Sequence, residues 1–568
     1  MKRVLSVAVI AVLTALSASC VQVPTTVAGL SAKVASATVA VKIIAFNDFH
    51  GNLRTPSLRV PVPDPSQSIG MRFEPAGGIE QFSALVQSLK AQNKNVAVIS
   101  AGDMVGATPL LSALFRDEPT IEAMNLVGVD IHAVGNHEFD YGVKHLQRLK
   151  NGGCKIDEKT SQPDCGGRPP YTGAKFEFLA ANVIDNASGQ PLFPAYAVRE
   201  FEGIKIGFIG LTTRTTPSIV RPGGTVGLTF KEEVETINAQ IPVLKAQGIE
   251  AIVVVMHEGG EQTGSINECV DFKGRGREIA ESLDPAIQLV ITAHTHRYYI
   301  CELGNTLVTE AGSYGTLVTD IDLVLDRSTR KIIARTARNI VVDPEGPKDI
   351  ALTALVDRYA SLAAPLENRV VGKLTREASA VVGPSGESTL GNLIADAHLF
   401  GTAAPDKGGA VIAFNNPGSL RAPIIPDADG GVKYGELFKA QPFQNDLIIM
   451  TLTGKQLKTL LEQQFNSSDH ARLLGVSKGF GYTWDNTKPR GEKIISGSLK
   501  LNGVPIELSL QYRVAANSFL AGGSEGMGMF REGTDRQVGM LDLEALVAMI
   551  SAGSPLTPPS AGRITRLH

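Results

Sequence analysis

Several short apolar segments of this chain are each followed by residue types that bind metal ions. Apolar stretches at residues 41–46, 96–99, 131–134, 252–256 and 289–291 precede, in chain order, Asp48, His50, Asp103, Asn136, His257, His294 and His296. A buried strand that stops at a loop places its last polar residues at the edge of its sheet, where open α/β sheets gather their sites. We therefore expect these seven side chains to converge.

The seven residue types suit a centre of two metal ions. Hard or borderline cations accept carboxylate, amide-oxygen and imidazole ligands, and a carboxylate can bridge two ions. We assign one ion to Asp48, His50, Asp103 and His296, and the other to Asp103, Asn136, His257 and His294. Two ions roughly 3.5–4 Å apart activate a water and hold the attacking and leaving oxygens of a phosphoryl group. The imidazoles favour zinc, manganese, cobalt or iron over magnesium alone, and the predicted chemistry is phosphoester hydrolysis.

His137 and Asp140 stand beside the predicted ligand Asn136 and need a role of their own. An imidazole next to the metals donates a hydrogen bond to a phosphoryl oxygen as charge develops there, and a carboxylate three residues on fixes its tautomer and favours its protonated form. We predict that this pair is catalytic. The alternative is that Asp140 only caps the segment that follows, residues 141–149.

The motifs around these residues form a set. Asp-x-His at Asp48, Gly-Asp at Asp103, Gly-Asn-His-Glu at residues 135–138 and His-Thr-His at residues 294–296 resemble, in this order, the calcineurin-like metallophosphoesterases. That resemblance implies a four-layer α/β/β/α sandwich carrying the metals. Many members have Gln or Asn at the position of His296, and a histidine there would alter the metal preference.

The second half of the chain resembles the C-terminal domain of the secreted bacterial 5′-nucleotidase family. The matching motifs are Gly-Asn-x-x-x-Asp-Ala at residues 391–397, the stretches 415–421 and 441–443, and Phe-Leu-Ala-Gly-Gly at residues 519–523. Together with the first half, the resemblance covers roughly residues 42–550. The motifs at residues 391–397 and 519–523 are specific to this family when they occur together with the metal-ligand motifs. It implies a smaller α/β domain that selects the nucleotide.

The resemblance assigns the substrate contacts. Phe443 and Phe519 match the family's pair of rings that stack on a base, although buried core phenylalanines are the alternative. Arg421 matches an arginine that meets the phosphate, with Asn416 beside it. Glu525 stands where the family has an aspartate that binds the ribose hydroxyls.

Two other positions in this half remain open. The stretch 384–387, Pro-Ser-Gly-Glu, stands where the animal members of the family have a second phosphate-binding arginine, so phosphate is bound either without that contact or with another residue in its place. Asn392 and Asp396 are expected only to organise their loop.

The N-terminus and the cysteines indicate export. Residues 1–20 have the basic start and short apolar run of a signal peptide, and Cys20 after small residues is typical of a lipoprotein, with ordinary cleavage and release as the alternative. Residues 21–40 would form a tether. Four further cysteines allow three pairings, of which we favour the local bridges Cys154–Cys165 and Cys269–Cys301 in an oxidising compartment.

Length and composition fit a large enzyme of two domains. The chain has 568 residues, 43% of them hydrophobic, which supplies core for both. A breaker cluster near residue 345 and the apolar spacing after it predict a catalytic domain at 41–345, a linker helix at 346–370 and a specificity domain at 371–568. The net charge of −3 gives no electrostatic argument for a nucleic-acid polymer as the partner, since binding one requires a concentrated basic face, and small ligands are expected instead.

The sequence therefore predicts an exported hydrolase that uses two metal ions to cleave nucleoside 5′-monophosphates. A 2′,3′-cyclic nucleotide phosphodiesterase or a UDP-sugar or NAD pyrophosphatase would use the same centre. A surface-anchored ligand-binding protein with an inactive site is the alternative of another class. Membrane association is expected only through a lipid at Cys20, and the oligomeric state stays open.

Overall fold

The computed structural model describes residues 37–56, 58–67, 70–156, 163–165, 170–220, 223–465 and 473–568. The predicted signal peptide, Cys20 and most of the predicted tether lie outside this part of the chain. Among the helices within it, none combines the length and the apolar character that a bilayer crossing requires.

The first half is built on two six-stranded sheets. In spatial order, sheet A comprises Ile332–Val341, Leu317–Asp326, Thr38–Phe46, Val96–Ser100, Ile131–Ala133 and Glu177–Leu179. Sheet B comprises Tyr196–Phe201, Ile204–Thr212, Ala251–His257, Ile287–Ile291, Thr306–Ala311 and Tyr298–Leu303. Thr38–Phe46, Val96–Ser100 and Ile131–Ala133 are parallel neighbours, as are Ala251–His257 and Ile287–Ile291. These five strands precede the predicted ligands.

The two sheets face each other and are covered by helices outside. Val41, Ile43 and Ala45 enter the core between the sheets, whereas Ile44 and Phe46 face the outer helices of sheet A. Strands buried on both faces read as continuous apolar runs, which explains why the sequence shows no alternation here. The predicted four-layer α/β/β/α sandwich is confirmed.

The helices of this half lie on both outer faces. Sheet A is covered by Ile79–Lys90, Glu118–Val127, Val143–Asn151 and Ile350–Glu367, and sheet B by Glu233–Ala246 and Arg275–Ser282. Short helices and short two-stranded sheets complete it: Leu110–Ala113, His137–Phe139 and Thr216–Ile219; Arg59–Pro63 with Met71–Pro75, Lys155–Ile156 with Pro163–Asp164, and Val183–Asp185 with Leu228–Phe230.

The second half has two larger sheets and one two-stranded sheet of its own. The five-stranded sheet comprises, in spatial order, Gly475–Val476, Ile412–Asn415, Gln511–Asn517, Asp446–Thr453 and Thr534–Leu541. The four-stranded sheet comprises Val504–Pro505, Lys500–Leu501, Phe480–Asp485 and Ile564–Leu567. Val370–Lys373 pairs with Gly431–Lys433. The helices are Thr389–Thr402, Pro405–Lys407, Pro417–Ser419, Tyr434–Ala440, Gly454–Gln463, Ser518–Ala521, Ser524–Gly526, Gly528–Glu532 and Asp542–Ala552.

The two halves are in contact. The helix Ile350–Glu367, where the sequence predicts a linker helix, packs Leu352 and Tyr359 into the core of the first half. In return, Leu110 and Ala113 of the first half join an apolar cluster of the second. A cleft between the halves is therefore bounded by both.

Both favoured disulfide pairings are present. Cys154 is bonded to Cys165, with Cα atoms 4.8 Å apart, and Cys269 to Cys301, with Cα atoms 5.1 Å apart. The second bridge ties the segment after Ala251–His257 to the edge strand Tyr298–Leu303, and so braces the loop that carries His294 and His296.

Candidate functional site

The predicted ligands converge as two adjoining clusters. Asp48, His50 and His296 offer ligand atoms that all lie within 4.8 Å of one another, and so do Asp103, His257 and His294. The first cluster joins the loops after Thr38–Phe46 and Ile287–Ile291, which belong to different sheets. The strand ends of both sheets therefore build the site.

The ligand atoms of the first cluster lie within or near hydrogen-bonding distance of one another. His50 Nε2 lies 3.1 Å from His296 Nε2, and Asp48 Oδ1 lies 3.3 Å from His296 Nε2. Asp48 Oδ1 is buried and has no hydrogen-bond partner, while Oδ2 accepts from the backbone N–H of His294. One carboxylate oxygen is thus anchored and the other is left for a ligand.

The second cluster shares a carboxylate with the first. Asp103 Oδ2 lies 3.0 Å from His257 Nε2 and 3.7 Å from His50 Nε2, so the same oxygen faces both clusters. Asn136 Oδ1 lies 3.1 Å from His257 Nε2. The Asp103 carboxylate therefore faces both clusters, as its assignment as a bridge requires.

The donor set fits two divalent cations. His50 Nδ1 lies 2.8 Å from the carbonyl of Gly106, and His257 Nδ1 lies 2.9 Å from the carbonyl of Ala101. A carbonyl only accepts, so each Nδ1 carries a proton and each Nε2 presents its lone pair to the centre, the arrangement of a metal-binding histidine. Imidazole, carboxylate and amide atoms that face each other at about 3 Å need either a proton or a metal ion between them.

The electrostatics agree. Burial lowers the pKa of His257, but the Asp103 carboxylate outweighs it and raises that pKa to about 10, so the centre favours positive charge. Burial and the neighbouring His257 lower the pKa of His294 to about 4. Burial opposes ionisation of Asp48, yet His296 brings its pKa down to about 2. A cation would take the place of the proton on His257.

The backbone at the centre is held in an unusual conformation. Five residues of the set have φ between 45° and 74°: Asp48, His50, Asp103, His294 and His296. Such left-handed conformations cost residues other than glycine about 1–3 kcal/mol each and cluster at functional sites. Gly135 supplies the remaining space, because a Cβ there would overlap the Asp103 carboxylate.

His137 and Asp140 form a pair at the rim of this centre. Asp140 Oδ2 lies 2.8 Å from His137 Nδ1, and the His137 backbone N–H donates to Asp103 Oδ1. Burial lowers the pKa of His137, but the charges of Asp140 and then Asp103 outweigh it and raise that pKa. The pair has the geometry expected of a positioned imidazole.

A cavity of about 210 Å³ joins this rim to the second half of the chain. From the first half it is lined by Asn136, His137, Asp140, Ile219, Val220 and His294, and from the second by Asn416, Gly418, Ser419, Arg421, Phe443, Asn445, Phe519 and Glu525. All five predicted substrate contacts are in that list. We call it the nucleotide cavity.

The two halves touch within it. The ring of Phe443 is stacked on that of His137, with centroids 5.8 Å apart and planes at 27°, and the Arg421 guanidinium lies 5.7 Å from the centroid of Phe443. Asn416 Nδ2 donates to Glu525 Oε1 at 2.9 Å. Asn517 in turn donates to Asn416 Oδ1, which fixes the orientation of that amide.

Comparison with known proteins identifies both halves. A family model described as calcineurin-like phosphoesterase matches residues 41–298, and one described as the 5′-nucleotidase C-terminal domain matches residues 370–532. The chain belongs to the 5′-nucleotidase family. It is accordingly placed among the metal-dependent phosphoester hydrolases.

Individual relatives of this 5′-nucleotidase family member cover most of the chain. It is 30% identical to endonuclease YhcR of Bacillus subtilis over 532 residues, 93% of this chain and 41% of that protein. Cell wall protein Lmo0130 of Listeria monocytogenes is 28% identical over 572 residues, 94% of this chain and 70% of that protein. The chain thus spans less than half of YhcR.

A solved structure extends the likeness to the whole fold. The crystal structure of a 5′-nucleotidase precursor from Thermus thermophilus aligns with a TM-score of 0.72 and 25% identity, covering 93% of this chain and 99% of that one. The arrangement of both halves is therefore shared with that member of the 5′-nucleotidase family.

Sequence reasoning missed the residue that holds the ligand loops. Glu138, quoted above only as part of a motif, is buried and accepts from the backbone N–H groups of Asp103, Met104 and Gly135. Its position next to His137 in the Gly-Asn-His-Glu motif was the one sequence feature that could have indicated this role. Tyr314, whose ring centroid lies 5.4 Å from that of His296, carries no motif at all.

The stretch that lacks the family arginine has a structural role here. Glu387 accepts from the backbone N–H groups of Gly562 and Arg563, and from the side chain of Asn392. Asp396 forms a two-point ion pair with Arg563. Asn392 and Asp396 lie on the helix Thr389–Thr402 and not on the loop expected from the sequence, and these contacts fasten the last strand, Ile564–Leu567, to that helix.

Proposed function

We propose that the chain is an exported dinuclear-metal 5′-nucleotidase, which hydrolyses nucleoside 5′-monophosphates to nucleoside and phosphate. The observation that carries this proposal is the nucleotide cavity, because its lining joins two metal-ligand residues, Asn136 and His294, to the rings of Phe443 and Phe519. A base between the rings would leave its phosphate at the metal centre. The family membership supports the same reaction.

The nucleotide would be held by side chains of the second half. Stacking on Phe443 and Phe519 suits any flat base and is worth about 1–3 kcal/mol. The Arg421 guanidinium presents paired donors to phosphate oxygens, and Glu525, oriented by Asn416, accepts hydrogen bonds from the ribose hydroxyls. These contacts orient the phosphorus toward the two ligand clusters.

The reacting oxygens would be served by the first half. Two divalent cations, held by the seven ligands assigned above, would supply Lewis acidity and the activated water. Asp140 accepts the Nδ1 proton of His137, so that Nε2 of the same ring is directed away from Asp140 and donates to a phosphoryl or leaving-group oxygen. That donation stabilises the charge developing in the transition state.

The experiment is phosphate release by the purified mature protein on AMP, UDP-glucose, 2′,3′-cyclic AMP and NAD. The protein is assayed after chelation and again after addition of zinc, manganese, cobalt or iron. Metal-dependent release from AMP is expected. Activity on a diester or pyrophosphate alone would replace the substrate class, and no hydrolysis with any metal would favour a ligand-binding protein.

Export is part of the proposal. Disulfides persist in oxidising compartments, and two of them lie in the described part of the chain. Fractionation of producing cells should recover the protein outside the cytoplasm. Cys20→Ser should release it from the membrane fraction if Cys20 is lipidated, and an unchanged distribution would instead indicate ordinary cleavage.

A further inference from the structure

We propose that Glu310 is a positioning residue of the metal centre, which holds the loop that carries His294 and His296 so that each cluster receives one of these histidines. This inference deepens the proposed function and rests on the ligands assigned there. Glu310 is the last residue but one of the strand Thr306–Ala311 and is completely buried. It belongs to none of the ligand motifs.

The loop that carries the two histidines requires support from its surroundings. His294 and His296 both have left-handed backbone conformations, with φ of 74° and 56°. In residues other than glycine, such conformations persist only when the surrounding structure over-determines them. One tether is already described, because the backbone N–H of His294 donates to Asp48 at 2.9 Å. A second tether comes from Glu310.

The Glu310 carboxyl group contacts the loop at two points. Its Oε1 accepts from the backbone N–H of Arg297 at 2.8 Å, and both of its oxygens lie 2.9 Å from the hydroxyl oxygen of Thr295. Thr295 stands between the two ligands, and Arg297 directly follows the second of them. The carboxyl group therefore fixes the chain on both sides of His296.

The segment that follows the ligand His257 packs on the same carboxyl group. A Cβ at Gly259 would lie 2.6 Å from Glu310 Oε2 and 2.7 Å from Thr295 Oγ1, so the lack of a side chain there permits the contact. The carbonyl oxygen of Gly260 lies 2.8 Å from the same hydroxyl oxygen. Glu310 thus lies where the segments that carry three of the four histidine ligands meet.

These contacts are all hydrogen bonds only if Glu310 is protonated. The Thr295 hydroxyl has one proton, and the carbonyl oxygen of Gly260 can only accept it. The Thr295 oxygen must then accept from the carboxyl group, so Oε2 donates to it while Oε1 accepts from Arg297. Burial, reinforced by the charge of Asp48, raises the pKa of Glu310 well above its ordinary value, which agrees with a neutral acid.

A neutral carboxylic acid can be replaced by an amide of the same shape. In Glu310→Gln, the amide oxygen accepts from the N–H of Arg297 and the amide N–H donates to the Thr295 hydroxyl. Glu310→Leu fills a similar space but removes both hydrogen bonds. The two variants therefore distinguish the tether from the volume that the side chain occupies.

The test measures the affinity of the metal-free protein for Zn²⁺ against a competing chelator, with no substrate present. Glu310→Leu should raise the Kd for zinc about 10–100-fold, the usual cost of losing a partner behind a metal ligand, and Glu310→Gln should stay within about threefold of the wild type. Thr295→Val, which removes only the hydroxyl, should weaken zinc binding as well. The double variant should bind zinc no more weakly than Glu310→Leu alone, because both substitutions break the same contact.

Glu462→Leu is the matched control. Glu462 is a buried glutamate of the second half that also accepts from backbone N–H groups, those of Lys493 and Ile494. Its replacement should lower the melting temperature and leave the Kd for zinc unchanged. A loss of zinc affinity in Glu310→Leu that this control does not share belongs to the metal centre and not to general destabilisation.

Wild-type zinc affinity in Glu310→Leu and Thr295→Val would overturn the role of Glu310, and so would a double variant weakened by the sum of the two losses. Binding in Glu310→Gln as weak as in Glu310→Leu would also overturn it, since a neutral acid could not then be the tether. If Glu310→Leu fails to fold, Thr295→Val and Glu310→Gln decide. A wild type that binds zinc but does not hydrolyse AMP would refute the nucleotidase proposal alone.

Discussion

The metal side and the nucleotide side of the cleft are built differently. Asp48, His50 and His257 are fully buried, and Asp103 is 1% exposed. Each lies at the end of a central strand or just after it, and backbone groups anchor their second polar atoms. Phe443 and Phe519, by contrast, are partly exposed and stand on a loop and a four-residue helix, Ser518–Ala521.

This difference indicates that the positions of the side chains are more tightly constrained on the metal side than on the nucleotide side. Metal ligands must keep fixed distances, so strained backbone and buried hydrogen bonds are retained on that side at a cost in stability. Stacking surfaces tolerate small displacements because any flat ring can be accommodated. Substitutions on the metal side should therefore change metal content or turnover, and those on the nucleotide side should change KM.

The largest effect is expected from Asp103→Ala. Asp103 faces both clusters, so its loss removes a ligand from each ion. Losing a partner in the outer shell of a metal site already costs about 10–100-fold, and loss of the bridge should exceed that in kcat/KM for AMP. Elemental analysis should show that metal is lost as well. Asp406→Ala, at an exposed aspartate, should match the wild type, and an Asp103→Ala protein with two bound metals would contradict the bridging role.

His137→Ala should separate chemistry from metal binding. Removing a positioned proton donor costs about 10²–10⁴-fold in rate, and the metal ligands themselves are untouched. We expect kcat to fall by that range with unchanged metal content by elemental analysis. His145→Ala serves as the histidine control on the neighbouring helix Val143–Asn151. If turnover of His137→Ala stays within threefold of the wild type, His137 has only a packing role.

The convergence of the candidate ligands was predictable because it follows from short-range patterns, whereas the four-layer sandwich was predicted through the family resemblance. Each candidate ligand lies within a few residues of a strand that is recognisable in the sequence as an apolar run. Parallel strands place their carboxyl ends at the same edge of a sheet, so these residues converge. The left-handed backbone at His50 and His296 was not predictable, since it is imposed by loops from different sheets.

Contacts between distant segments also escaped prediction. Tyr314 reaches His50 from 264 residues further along the chain, and Glu387 reaches Arg563 across 176. Neither pair has a spacing signature in the sequence, because the fold alone sets these distances. The substrate residues were found only through family motifs. A phenylalanine that stacks on a base and one that packs in the core look the same in the sequence.

The two stacking rings offer a comparison within the nucleotide side. Phe519→Ala should raise KM for AMP roughly 5–150-fold, the value of one stacked ring at about 1–3 kcal/mol, and leave kcat unchanged. Phe443→Ala should raise KM similarly and also lower kcat, because Phe443 supports the His137 ring. Steady-state kinetics on AMP and on p-nitrophenyl phosphate would distinguish them. With the aryl phosphate, only Phe443→Ala should reduce turnover, and identical behaviour of the two variants would show that the contact with His137 has no catalytic effect.

The smallest effect is expected from Glu525→Gln. The amide oxygen can still accept from Asn416 Nδ2, so the local structure is preserved, and only the charge that strengthens hydrogen bonds from the ribose is lost. Charge-assisted hydrogen bonds are about twice as strong as neutral ones, and a difference of about 1 kcal/mol corresponds to roughly a fivefold rise in KM for AMP.

The dideoxy substrate makes this prediction specific to the ribose. On 2′,3′-dideoxy-AMP, which has no ribose hydroxyl to donate, Glu525→Gln should have the same KM as the wild type. An equal rise on both substrates would mean that Glu525 acts through Asn416 on the phosphate or the base instead. The carboxylate would then belong to the rigid support of the cleft, and the adaptable nucleotide side would be confined to the two aromatic rings.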